Sequence, residues 1–321
     1  SGAFPEGNGR QCKAMTQTEY HTPVLLEETV TWLVTDPDGI YVDGTLGGGG
    51  HTQALLSRLS SKARVYGIDQ DDDALQEVRE RIGGDPRLEL IKGNFGYMKT
   101  LLPPDVIGKV TGILLDLGVS SHQIDEPERG FSFQADGPLD MRMSDLRSQT
   151  AAQVVNDYEY EDLRNIFFEY GEERQSSRIA RTIIENRPIA TTSELKKVIQ
   201  KVAKGPHAVK SVARIFQAIR IEVNRELEML ETALSQGLEI LKEDGRYVII
   251  SYHSLEDRLV KMFFKTGNTE GTLHKDFYGN DIKPVEMLTP KIVTASEEEI
   301  QRNPRARSAR MRVAAKKSEV A

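Results

Sequence analysis

One cysteine, Cys12, stands in 321 residues. Alone it can neither close an intramolecular disulfide nor build a cysteine-rich zinc site, and such usage fits a reducing compartment. The histidines His21, His51, His122, His207, His253 and His274 fall into no ligand spacing, so no metal is expected. No apolar run approaches membrane-spanning length. Residues 1–20 lack the apolar core of a signal peptide and are expected to be an extension outside the fold. Nor is there an excess of positive charge, with 42 Lys and Arg against 49 Asp and Glu. A net charge of −7 argues against a protein that coats nucleic acid indiscriminately, because such binding rests on many phosphate contacts. A complete G-x-G-x-x-G, a P-loop, a nucleophile elbow and internal repeats are also missing. With 38% hydrophobic and 28% charged residues, what remains is an ordinary globular chain, long enough for one large core or two modest ones.

The most informative stretch that is present, VDGTLGGGGHT at residues 42–52, joins the apolar run 39–42 to a helix start at 52–56. Strand, glycine turn, helix is the first unit of a nucleotide-binding α/β sheet. A second strand at 64–69 ends in Asp69, a carboxylate about 20 residues beyond the glycines, where ribose hydroxyls are usually held. Gly47 and Gly49 supply the first pair of a dinucleotide fingerprint, but Thr52 stands where its third glycine is needed. Asp43 ahead of the turn would repel a pyrophosphate, yet it suits the ammonium of a zwitterionic amino acid. These features favour S-adenosyl-L-methionine over NAD.

Further strands are expected at 88–92, 111–118 and 246–252, with weaker signals around 285–293 and 308–314. Asp43, Asp69 and Asp116 all fall at strand ends, so three acids converge on the edge where ligands bind in such sheets. Phe95, just past the third strand, is placed to stack on a base or to lid the core. Between the fourth and fifth strands the pattern turns helical. The spacing predicts an inserted domain over 131–239, flanked by a sheet domain at 21–130 and 240–321. Its last helix carries a continuous apolar stripe from Val212 to Leu241, ended by Asp244-Gly245. Basic residues gather at Lys196, Lys197, Lys201, Lys204, Lys210 and Arg214, and again between Arg302 and Lys317; charge runs are usually solvated faces, so neither set identifies a partner. The loop ERGFSFQADGPLDMRM mixes aromatics with Arg129, Asp140 and Arg142, a composition suited to an extruded base or to a rigid linker.

Taken together, HTPVLL from residue 21, DGTLGGGGHT, GIDQD, ILLDLGVSS, ERGFSF, DGPLDMRM, YGEER, FQAIRIEVNREL, SYHSLEDR and NPRARSA span nearly everything after residue 20. In them the chain resembles the MraW-type 16S ribosomal RNA (cytosine-N4)-methyltransferases, a bacterial family with mitochondrial relatives. The resemblance implies a class I S-adenosylmethionine-dependent methyltransferase fold, Rossmann-like with a mostly parallel sheet and an inserted helical domain. It implies action on a decoding-centre (P-site) cytosine, with the small ribosomal subunit and its rRNA as partner. The expected location is the cytoplasm, or the mitochondrial matrix in a eukaryote. Carried over position by position, Gly49, Gly50, His51, Asp69, Phe95, Asp116 and Gln123 look like cofactor contacts.

Methylating an exocyclic amine needs a collinear approach, a freed lone pair and removal of a proton. Many amino-methyltransferases carry Asp/Asn-Pro-Pro-aromatic after the fourth strand, whereas here the run is Asp116-Leu117-Gly118-Val119. Asp116 is the nearest acceptor and His253 a second polar candidate for catalysis. Asp140, Arg142, Arg305 and Arg307 are candidate RNA contacts. An NAD-dependent oxidoreductase and a non-catalytic ribosome-binding protein are the competing readings, and a homodimer stays open.

Overall fold

The computed structural model describes residues 22–318; Cys12, His21 and the expected extension lie outside the described residues. Among the described residues nine strands run in chain order: β1 (Ile40–Asp43), β2 (Arg64–Asp69), β3 (Leu88–Lys92), β4 (Val110–Asp116), β5 (Leu241–Ser251), β6 (His274–Lys275), β7 (Asp281–Ile282), β8 (Val285–Met287) and β9 (Arg310–Lys316). Seven form one sheet in the order β3-β2-β1-β4-β5-β9-β8. The first five are parallel neighbours, whereas β9 runs antiparallel between β5 and β8. Strand order reverses between β1 and β4, which makes their carboxyl ends the natural ligand crevice.

Burial on both faces explains the apolar runs. In β4, Ile113 and Leu115 join the core beneath helices Glu226–Ile240 and Ser254–Thr266, while Leu114 points to the opposite core beneath Leu26–Leu33 and Gly50–Ser57. Tyr247 and Ile249 of β5 alternate in the same way with Val248 and Ile250. Each such side chain contributes about 1.5–3 kcal/mol through burial. The result is a helix-sheet-helix sandwich, as the class I methyltransferase pattern implies.

The helical insertion has its own core, running from Phe131 to Val223 through Val155, Phe167, Ile179 and Ile215. Two of its helices start on side-chain caps: Ala151–Asp157 on Thr150, which forms a reciprocal capping box with Gln153, and Thr192–Gln200 on Thr191. Two expectations need correction here. The stripe from Val212 to Leu241 is not one helix: it breaks at Arg225, whose φ of +51° is left-handed, into Ala208–Asn224 and Glu226–Ile240. The second piece packs on the sheet through Leu230, Ala233 and Leu234, whereas the buried cluster that begins at Phe131 ends at Val223. The chain then passes straight from Ile240 into β5 at Leu241. Asp244 (φ +62°) and Gly245 make an irregularity inside that strand and do not end the helix.

At the break, Asn224 is held by residues distant in sequence. Its side-chain oxygen accepts from the Met143 amide at 2.8 Å and its Nδ2 donates to the Met141 carbonyl at 2.8 Å, so the helix end clamps the 136–143 loop. Among the described residues no helix is long and apolar enough to cross a membrane. Asn224→Ala leaves two buried backbone groups unpaired, and we expect a loss of about 1–3 kcal/mol in urea-denaturation stability.

Candidate active site

At the bend after β1, one buried carboxylate organises the turn. Asp43, 1% exposed, accepts the Thr52 hydroxyl at 2.7 Å and the Thr45 amide at 3.1 Å. Thr45 in turn accepts the Asp116 amide on its hydroxyl at 2.7 Å, which ties the end of β4 to the turn. Gly47 sits at φ +53° and donates its amide to Asp69 Oδ2 at 2.8 Å, while the Asp71 amide donates to Asp69 Oδ1 at 2.9 Å. Burial pushes the Asp69 carboxyl up to about 6 against those two donors, with Asp71 and Asp43 pushing the same way.

Around this turn opens a cleft of about 1490 Å³. It exceeds the roughly 300–1,000 Å³ of common small-molecule pockets, which leaves room for a nucleoside and part of a larger partner. Sheet-edge loops line one side and the insertion the other, the latter through Met143, Gln217, Arg220 and Asn224. Arg129 joins the two sides. Its NH1 contacts Asp71 Oδ2 at 2.7 Å, its NH2 donates to the Arg142 carbonyl, and Gln123 Nε2 reaches the same Asp71 oxygen at 3.4 Å.

Asp116 lies at the centre. Tyr252 donates its phenol to Asp116 Oδ1 at 2.6 Å, and His51 Nδ1 stands 3.7 Å from Oδ2. The other ring nitrogen of His51 donates to the Val24 carbonyl at 2.8 Å, which fixes the ring. Burial raises the Asp116 carboxyl to about 6; His51 and the Tyr252 hydrogen bond oppose the rise, and Asp43 and Glu256 add to it. Next to it, His253 caps the helix Ser254–Thr266 by accepting the Glu256 amide on Nδ1 at 3.4 Å, and its Nε2 lies 3.0 Å from Glu256 Oε1. Burial works against the Glu256 charge, yet His253, the Tyr252 amide and Arg220 hold this carboxyl below its ordinary range.

Comparison with known proteins places this geometry. Residues 18–317 match the MraW methylase family. The chain is 51% identical to the "Ribosomal RNA small subunit methyltransferase H" of Flavobacterium johnsoniae over 94% of this chain and 99% of that one. It is 48% identical to the protein of the same name from Bacteroides fragilis, again over 94% and 99%. A solved rRNA methylase from Streptococcus thermophilus aligns over 91% of this chain and 93% of its own at 14% identity and a TM-score of 0.37. The chain belongs to the MraW methylase family.

In this MraW-family chain the cleft gathers Gly50, His51, Asp69, Phe95, Asp116, Gln123, His253 and Arg305 from the expected set. It does not gather the rest. Gly49 (φ +77°) faces away, where a Cβ would come within 2.9 Å of Val78, so packing and backbone conformation demand that glycine. Asp43 is sealed behind the turn and does not line the cleft, so it is not placed for the expected contact to an ammonium. Asp140 and Arg142 grip each other, Oδ1 to Nε at 2.8 Å and Oδ2 to NH2 at 3.0 Å, off the cleft wall. Arg305 donates to Ser121 and Asp125 at the rim, and Arg307 is exposed one turn of chain later. Sequence reasoning missed Tyr252 and Glu256; the available signal was the adjacency of β5 to β4, which sets the residues just past β5 beside Asp116.

The raised carboxyls have a thermodynamic consequence. Asp116 holds its proton more tightly folded than unfolded, so its contribution to stability is full below about pH 4 and is lost as pH rises through about 6. Asp116→Asn, which keeps an acceptor for Tyr252, is expected to gain on the order of 2 kcal/mol over the parent in urea denaturation at pH 8. That gain should shrink toward zero at pH 4; a constant gain would refute the assignment.

Proposed function

We propose that this chain transfers a methyl group from S-adenosyl-L-methionine to the exocyclic N4 of a cytosine in the decoding centre of small-subunit ribosomal RNA. The reading is carried by identity of about half, over nearly the full length of both chains, to proteins named for small-subunit rRNA methylation. The cleft's chemistry agrees with it. Carboxylates at the ends of β2 and β4, with Asp43 behind them, favour a cationic ligand. Pro23 is seated on the helix start, where a Cβ on Gly50 would fall 2.2 Å from its Cγ, and so covers the helix end that a dinucleotide's pyrophosphate would need. This favours the sulfonium cofactor over NAD.

Asp69 keeps a second lone pair on each oxygen for the ribose hydroxyls. Phe95, packed beside Gly44, offers a ring to the adenine, and Gln123 and His51 complete the berth. The cofactor supplies an electrophilic methyl: the N4 lone pair takes it, the sulfur keeps the electrons of the broken bond, and one N4 proton must leave. Asp116 is suited to receive the N4–H, because Tyr252 occupies Oδ1 and leaves Oδ2 as acceptor, and a carboxyl near 6 is ionised at neutral pH. His253, with Nδ1 used as a helix cap and Nε2 facing Glu256, shapes the wall beside it. Arg305 and Arg307 meet the RNA backbone at the rim, while the Asp140–Arg142 pair stiffens the loop that carries Met143 into the cleft. The partner is the small subunit, met in the bacterial cytoplasm, and nothing in this scheme requires a second copy of the chain.

Labelled methyl groups supplied with undermethylated small subunits should enter the RNA, and mass mapping should find N4-methylcytidine; no incorporation across a range of magnesium and salt would favour pure binding. Stabilisation by NAD and not by S-adenosyl-L-methionine in a thermal-shift assay would favour an oxidoreductase. By calorimetry, Asp69→Ala should weaken cofactor binding by about 1.5–3 kcal/mol. Affinity of the parent should rise as pH passes upward through about 6, where Asp69 and Asp116 ionise.

A further inference from the structure

Two aromatic rings stand out of the molecule far from any core. Phe277 is 97% exposed and Tyr278 85%, at the tip of the β6–β7 hairpin, with centroids 5.6 Å apart and planes at 88°. The tip that carries them is closely tied. The Asp276 carboxylate accepts the amides of Tyr278 and Asn280, each at 2.9 Å, and the Asn280 side chain at 3.2 Å. The Asp276 amide donates to the Asn280 carbonyl at 2.9 Å, and Gly279 supplies the left-handed residue, φ +85°. The backbone at the rings is thus preset, which lowers the ordering cost of any contact they make.

The surroundings select the occupant. Lys275, Asp276, Gly279 and Asn280 flank the rings at the tip, while the hairpin's other exposed apolar side chains, Leu273 (45%) and Ile282 (39%), sit at its base and form no rim around the rings of the kind that seals a protein–protein hot spot. What is offered is two perpendicular π-faces beside cations. Over residues 261–283 four lysines face Glu270, Asp276 and Asp281: Lys275 and Lys283 share Asp281 at 3.3 and 4.0 Å, and Lys261 and Lys265 stand exposed on the adjoining helix. Aromatic faces with neighbouring lysines bind single-stranded nucleic acid by stacking, whatever the base.

Position adds to the case. A Cβ on Gly271 would meet Met262 Sδ at 2.4 Å and one on Gly267 would meet Pro284, so the hairpin segment is seated on the far end of helix Ser254–Thr266. That helix begins at the cleft with His253, and its 13 residues span about 20 Å. A contact at its far end reaches a part of the substrate separate from the reacting base.

We infer that the β6–β7 tip is a second RNA contact, which stacks unpaired bases of the small-subunit RNA on Phe277 and Tyr278. The inference rests on the rRNA reading above. The test is steady-state methylation of undermethylated small subunits by the full chain, together with fluorescence titration of a single-stranded RNA dodecamer. With both rings changed, Phe277→Ala and Tyr278→Ala together should raise KM for subunits and weaken dodecamer binding by about tenfold or more. The kcat and cofactor affinity should stay unchanged, since neither ring is in the cleft. Phe277→Tyr and Tyr278→Phe should behave as the parent, and the double leucine variant should be as poor as the double alanine. Unchanged KM and binding in the alanine variant overturn the proposal. So does full function in the leucine variant, or loss on intact subunits with the dodecamer unaffected, either of which assigns the tip to a protein. A parent enzyme inert on subunits, yet binding the dodecamer through both rings, fails the methylation reading and supports the hairpin.

Discussion

Everything at the ligand edge depends on the burial of Asp43. A carboxylate 1% exposed is tolerable only when donors surround it. The chain meets that demand with Thr45 and Thr52, whose positions dictate the path of the bend between β1 and its helix. Thr45 then passes the constraint on, because its hydroxyl also receives the Asp116 amide. One desolvated charge therefore sets the turn, the entry of the helix and the end of the neighbouring strand. Its charge also reaches Asp69 and Asp116, raising both carboxyls. The clustered carboxyls raise one another's hold on a proton, and a positive ligand seated there would oppose that rise.

The insertion supplies the other wall and is pinned to the sheet by polar clasps. Arg129 bridges Asp71 of the sheet edge to the 136–143 loop, Asn224 clamps that loop to the last insertion helix, and Glu172 accepts from Ser254 and Arg258 of the helix after β5. Hydrogen-bonded joins of this kind have directional geometry, so they hold the wall in register with Asp116. An apolar seam would permit more sliding.

How much of this was legible follows from where the causes lie. The parallel strands could be read because burial on both faces forces unbroken apolar runs, and their terminal acids mark the edge: β1, β2 and β4 end on Asp43, Asp69 and Asp116. The break at Arg225 could not, since the apolar stripe continues through it and no glycine or proline marks it; its cause is a contact of Asn224 with a loop 80 residues earlier. Gly49 was read as a ligand contact, and the need for glycine there has a separate cause that the sequence hides, the Val78 side chain 2.9 Å from where a Cβ would stand. Asp140 and Arg142 looked like recognition residues because composition does not reveal that they satisfy each other. Tyr252 becomes visible only once β5 is known to lie beside β4.

That adjacency bears on how the polypeptide assembles. β4 ends at residue 116 and its partner β5 begins at 241, so the central pair of the sheet must close a very long excursion. Loop closure grows costlier with length, though slowly, and non-local pairing slows folding. A segment with an apolar nucleus of its own, Phe131 to Val223, converts that excursion into a short, stiff tether once it is packed. The helical wall thus doubles as an internal template, whose packing brings the second half of the sheet to the first.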